Sequence, residues 1–78
     1  EAAKFKQMGV RAGFPDLILL IPNKFYPFCG IELKVKTGRQ SESQKEYQKE
    51  FESIGAKYVI VRSLDEFIEV VTDYLKDV

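Results

Sequence analysis

Apolar and polar positions along the chain fall into six short patterned segments. Glu1 to Met8 spaces Ala2, Phe5 and Met8 three apart, with an acid at the positive end of the helix dipole and Gly9 placed to stop it; a short helix is predicted. The loop GVRAGFPD leads into Leu17 to Ile21, an apolar run too short for a helix and ended by Pro22 and Asn23, which predicts a buried strand. After the turn NKFYPFCG, Ile31 to Lys36 alternates apolar and charged residues as a half-buried strand does. These two neighbouring strands read as a hairpin.

Thr37 to Gln40 form a polar loop before Ser41, which with Gln44 makes the S-x-x-Q pattern of a capping box and predicts a helix start. Tyr47, Phe51 and Ile54 supply that helix's apolar stripe, and Gly55 ends it. Lys57 to Arg62 encloses the all-apolar Tyr58 to Val61, consistent with a strand covered on both faces. Ser63 and Glu66 repeat the capping pattern. The last helix then gathers Phe67, Val70, Val71, Tyr74 and Leu75 on one face, with Asp65, Glu69, Asp73 and Asp77 mostly outside. The order is helix, strand, strand, helix, strand, helix. A hairpin followed by a helical crossover to a third strand gives an α/β domain with a mixed sheet and helices packed against it. Residues 1–78 read as one domain without linker or repeat.

Composition narrows the function. At 78 residues the chain holds one small core, burying roughly 60% of its unfolded surface. No apolar run approaches the 18 or so residues that a membrane-spanning helix needs, and no secretory leader opens the chain. With no histidine, the commonest zinc ligand and the usual neutral-pH base are missing, so zinc fingers and Ser-His-Asp hydrolases are excluded. The lone Cys29 cannot form an intrachain disulfide; it reads as a small buried apolar residue, and the expected location is intracellular, in bacterial or host cytoplasm. The chain begins at a glutamate without an initiator methionine, which raises the expectation that residues of the fold lie upstream.

The zero net charge hides an uneven distribution. Residues 1–49 carry nine Lys or Arg against five Asp or Glu, and residues 50–78 carry three against seven. A phosphate-rich partner should therefore meet the first half. The competing reading is of ordinary solvated charges.

The strand IELKVK puts Glu32, Lys34 and Lys36 on one face, because strand side chains alternate. If Asp16 at the start of the neighbouring strand reaches that face, two carboxylates and a lysine converge. Two carboxylates with a main-chain carbonyl, that of Leu33, make a hard-oxygen site suited to Mg²⁺ or Mn²⁺. Such an ion would neutralise phosphodiester charge and acidify a water, with Lys34 orienting that water or stabilising the developing negative charge. As a bare pattern this is weak; its weight comes from Asp16 opening one strand while the E-x-K triplet lies in the next. The alternative is an exposed Glu32–Lys34 ion pair, with Asp16 a turn residue after Pro15.

GVRAGFPDLILL, then GIELKVKTGRQSESQ, then the tyrosine-containing helix and AKYVIVRS, together resemble the virus-type replication-repair nuclease (VRR-NUC) family of the PD-(D/E)XK nuclease superfamily, over nearly all of residues 1–63. The resemblance implies a restriction-endonuclease-like mixed sheet flanked by helices. It also implies metal ligation by Asp16 and Glu32, a catalytic Lys34, and an active-site Gln44, for which the capping box offers a rival explanation. Family members carry a further upstream helix, with a glutamate that joins the site, and a first strand; neither is seen in this sequence, and Glu1 does not take that role. Arg11, Lys36 and Arg39 flank the site as candidate phosphate contacts, or as plain surface charges. Tyr47 reads as packing rather than base stacking. Phe25, Tyr26 and Phe28 form an aromatic cluster about Pro27, suited to packing, to a second subunit or to bases.

The leading expectation is a Mg²⁺-dependent endonuclease acting on DNA. Stand-alone relatives resemble junction-resolving enzymes, which implies branched DNA such as four-way junctions, a homodimer, and a role in replication, recombination or repair in a phage or its host. The alternatives are a non-catalytic DNA-binding module that keeps the nuclease shape, and a protein-interaction domain using the acidic last helix.

Overall fold

The computed structural model describes residues 5–7 and 13–78. Four strands form one sheet in the order β1-β2-β3-β4: β1 Phe5–Gln7, β2 Leu17–Leu19, β3 Cys29–Leu33 and β4 Lys57–Val61. The first two pairings are antiparallel, and β3 pairs with β4 in parallel. Helix α1, Glu42–Ser53, makes the crossover between the parallel strands, and α2, Leu64–Leu75, follows β4. The hairpin, crossover and mixed sheet expected from the sequence are all present.

One element differs. Residues 5–7, expected within a helix, form the strand β1; the rest of that expected helix, like Arg11, lies outside the described residues. Three apolar positions over eight residues specify a helix weakly, because isolated helices shorter than about 12 residues are marginal in water. Pairing wins instead: Phe5 sits opposite Leu19 on the free edge of β2, and its ring lies 6.0 Å from that of Phe67. The strands are also shorter than expected. β2 stops at Leu19, and β3 spans Cys29–Leu33 rather than reaching Lys36. The ladder makes one further bond, from the Lys34 N–H to the Val61 carbonyl at 3.0 Å, before the chain turns away.

Alternation along the strands divides the core in two. Leu19, Cys29, Ile31 and Val61 face α2, where Tyr74 is buried and Phe67, Val70, Val71 and Leu75 pack against them. Burial pushes the Cys29 thiol up to about 11, as suits an inert core residue. Ile18 and Tyr58 face α1, with Phe51 at the centre of edge-on contacts to Phe14, Phe28 and Tyr58. Ile54, expected in the apolar stripe of α1, is instead its exposed C-cap. The turn aromatics separate: Phe25 is exposed, Tyr26 stacks on Tyr74, and Phe28 joins the α1 side.

Candidate active site

The site forms where β2 begins and β3 ends, on the face covered by α1. Two glycines allow the approach. At Gly13, φ is +86°, and a Cβ would lie 2.6 Å from the Ser43 backbone, so only glycine lets this loop rest on the first turn of α1. At Gly30, a Cβ would lie 2.6 Å from the Phe51 ring and 3.0 Å from Pro15, so the missing side chain admits both. Phe14 then packs edge-on against Tyr47 at 5.1 Å, which makes Tyr47 a packing residue, as expected. The loop is thereby fixed on α1, and Pro15 is fully buried.

These contacts deliver Asp16 to β3. In the β2–β3 register Leu17 lies opposite Ile31, so one step further places Asp16 opposite Glu32. Asp16 is exposed, and its Oδ2 accepts a 2.8 Å hydrogen bond from the Leu33 N–H. The same peptide strand therefore presents the Glu32 side chain, the Asp16 anchor and the Leu33 backbone side by side.

Glu32 is the buried charged residue among those described, at 0% exposure. Its two oxygens have unlike surroundings. Oε1 accepts a hydrogen bond from the Tyr58 hydroxyl, while Oε2 is buried with no hydrogen-bond partner. The Lys34 ammonium stands 3.9 Å from Oε2 with its side chain 20% exposed, so it faces both the carboxylate and solvent. An orphaned carboxylate oxygen in a dry site is costly unless something cationic or hydrogen-bonding meets it. Burial first, then the hydrogen bond to Glu32 and the nearby negative charge, hold the Tyr58 phenol well above its ordinary range; the side chain of Gln40 opposes this. Gln40 in turn donates to Gln48 at 3.0 Å, and Gln48 to Glu52 at 3.1 Å, so a chain of polar groups runs from the site onto α1.

The remaining candidates are less close-knit. Gln44 is held in the capping box: its Oε1 accepts from the Ser41 N–H at 2.7 Å, and its own N–H donates to Ser41 Oγ at 3.2 Å. Lys36 and Arg39 are exposed on the loop after β3. That loop is pinned by Arg62, whose guanidinium donates to the carbonyls of Val35 at 3.0 Å and Gly38 at 2.6 Å. Tyr58, Gln40 and Arg62 were not singled out by sequence reasoning. Tyr58 sits within an apolar strand run, and no local pattern reveals that its hydroxyl meets Glu32. Among the described residues, no three His, Cys, Asp or Glu side chains form a metal-holding group; Asp16 and Glu32 are two carboxylates that the register sets opposite each other.

The described residues include no helix long and apolar enough to cross a membrane. The family model of the VRR-NUC domain matches residues 1–65. A solved structure of a VRR_NUC domain protein is similar to this chain with a TM-score of 0.84 and 28% sequence identity, over 92% of this chain and 67% of that one. No curated protein matches. The sheet and its flanking helices are accordingly a restriction-endonuclease-like fold. With residues 1–65 of 78 matched, the chain belongs to the VRR-NUC domain family, a family of nuclease type.

Proposed function

We propose that this chain is a metal-dependent endonuclease that hydrolyses DNA phosphodiester bonds, with branched DNA such as a four-way junction as its substrate. The observation that carries the reading is the buried Oε2 of Glu32, which has no hydrogen bond, with the Lys34 ammonium 3.9 Å away and Asp16 opposite in the register. An oxygen of this kind fits a small hard cation. Asp16, Glu32 and the main-chain carbonyl of Leu33 would hold Mg²⁺ or Mn²⁺, and so small a protein ligand set suits ions that keep several waters and accept phosphate oxygens. Once bound, the ion would neutralise phosphate charge and make a water more acidic.

The chain's own groups do the rest. Glu32 and Asp16 provide negative charge on one face of adjacent strands. Lys34, paired with Glu32 and 20% exposed, directs its ammonium toward a phosphate oxygen or an attacking water, where it stabilises charge that grows in the transition state. Tyr58 covers the inner side of Glu32 and is itself backed by Phe51. Lys36 and Arg39, exposed on the loop fixed by Arg62, would meet the flanking phosphates without reading bases. Symmetric incision of a four-way junction needs two such sites, which a twofold homodimer supplies.

The test uses the full-length protein, wild type and Lys34→Ala, with a labelled four-way junction and a matching linear duplex, in Mg²⁺ or EDTA. Metal-dependent paired cuts in the junction, reduced by about 10²- to 10³-fold in the variant, are expected. Uncut DNA in every lane with a salt-sensitive band shift would overturn the reading in favour of a non-catalytic DNA-binding module. The two-carboxylate set of the described residues is the observation on that second side.

A further inference from the structure

The two oxygens of the Glu32 carboxylate are held differently, and the difference is built into the sheet. Tyr58 lies beside Gly30 in the parallel β3–β4 register, and Gly30 has no side chain to fill the space. The tyrosine ring therefore lies along β3, and its hydroxyl reaches Oε1 of Glu32, two residues further on. The ring is fixed by an edge-on contact with Phe51, centroids 5.6 Å apart and planes at 86°. Tyr58 is 7% exposed, so its ring is enclosed by this packing. Oε2 is left as the one oxygen of Glu32 without a hydrogen bond.

We infer that Tyr58 is a positioning residue that reserves Oε1 and confines Glu32 to ligation through a single oxygen, biasing the site toward Mg²⁺ over Ca²⁺. The inference rests on the metal-site reading above. The chemistry follows from the ions. Mg²⁺ demands near-ideal octahedral geometry and takes carboxylates through one oxygen each, whereas the larger Ca²⁺ accepts six to eight oxygens and readily takes a carboxylate through both. A tie on Oε1 removes the second oxygen that Ca²⁺ would use. Outer groups that orient metal ligands typically change metal affinity by about 10- to 100-fold when they are removed.

Calorimetric titration of the full-length protein with Mg²⁺ and with Ca²⁺ tests this without any turnover. In Tyr58→Phe, which keeps the ring and its packing, the ratio of Mg²⁺ to Ca²⁺ affinity falls by about tenfold or more, and thermal unfolding verifies that the variant is folded. Parallel weakening of both ions, or an unchanged ratio in the folded variant, overturns the inference. If Tyr58→Phe does not fold, the wild-type protein decides: Ca²⁺ bound as tightly as Mg²⁺ or more tightly overturns the inference. Wild-type protein with no saturable Mg²⁺ binding defeats the metal-site reading and this inference together. Wild-type binding that Asp16→Ala abolishes, with selectivity indifferent to Tyr58, defeats this inference alone.

Discussion

Glu32 is the side chain at which the proposed function would compete with stability. Its carboxylate is fully buried, one oxygen is unpartnered, and the nearest cation stands 3.9 Å away. Glu32→Gln removes the buried charge while keeping an acceptor for Tyr58. In EDTA this variant is expected to be more stable than wild type by about 1 kcal/mol, read as a rise of a few degrees in Tm, and to lose DNA cleavage. A fall in Tm would mean that the Lys34 pair outweighs the desolvation. The acidic pair and the lysine were legible in the sequence because strand alternation and the strand-opening Asp16 constrain where they point. Tyr58 was not, because in the run from Tyr58 to Val61 an aromatic residue reads as packing. What makes it polar in effect is a partner 26 residues away.

Among elements, the helices were the most legible, since each announces itself through local chemistry. Ser41 and Gln44 form both bonds of the capping box on α1. On α2 the pattern is realised with a shift: Ser63 Oγ accepts from the Glu66 N–H at 3.1 Å, but the Glu66 carboxylate accepts from the Arg62 N–H at 2.8 Å, one residue before the cap. That shift draws Arg62 into the helix start, while its guanidinium reaches across to the loop after β3. β1 was illegible because a three-residue edge strand is defined by its partner, Leu17–Leu19, rather than by its own periodicity. Arg62→Ala leaves the loop carbonyls of Val35 and Gly38 without this donor. The expected result is a stability loss of about 1–2 kcal/mol in urea unfolding, with faster amide exchange in residues 35–40 than elsewhere. Uniform exchange across the chain would show that Arg62 does not hold the loop.

Taken whole, the molecule is a thin sheet whose two faces carry different burdens. The α2 face is a plain core: Cys29 and Tyr74 are both protonated there, Cys29 raised from 9.0 to about 11 and Tyr74 from 10.0 to about 12, mainly by burial. The unfolded chain releases these protons first. Above about pH 9 it therefore binds fewer protons than the folded chain, and stability falls with rising pH until the folded-state values are passed. Urea midpoints are expected to stay level from pH 7 to 8.5 and to decline between pH 9 and 12, with a shallower decline in Cys29→Ala. An identical decline in that variant would assign the effect to the tyrosines alone.

The α1 face carries the candidate site, which is built from two connections of different length. Asp16 and Leu33 are 17 residues apart and meet within a hairpin, whereas Tyr58 reaches Glu32 only after the chain has wound through α1 to lay down a parallel strand. By loop-closure entropy alone the longer span costs only about 0.4 kcal/mol more. What separates the two contacts is their support: the Asp16 anchor depends on the β2–β3 hairpin, whereas the Tyr58 contact with Glu32 depends on the parallel strand that α1 delivers. A slip in the β3–β4 register would therefore remove the Tyr58 contact while leaving that of Asp16 in place.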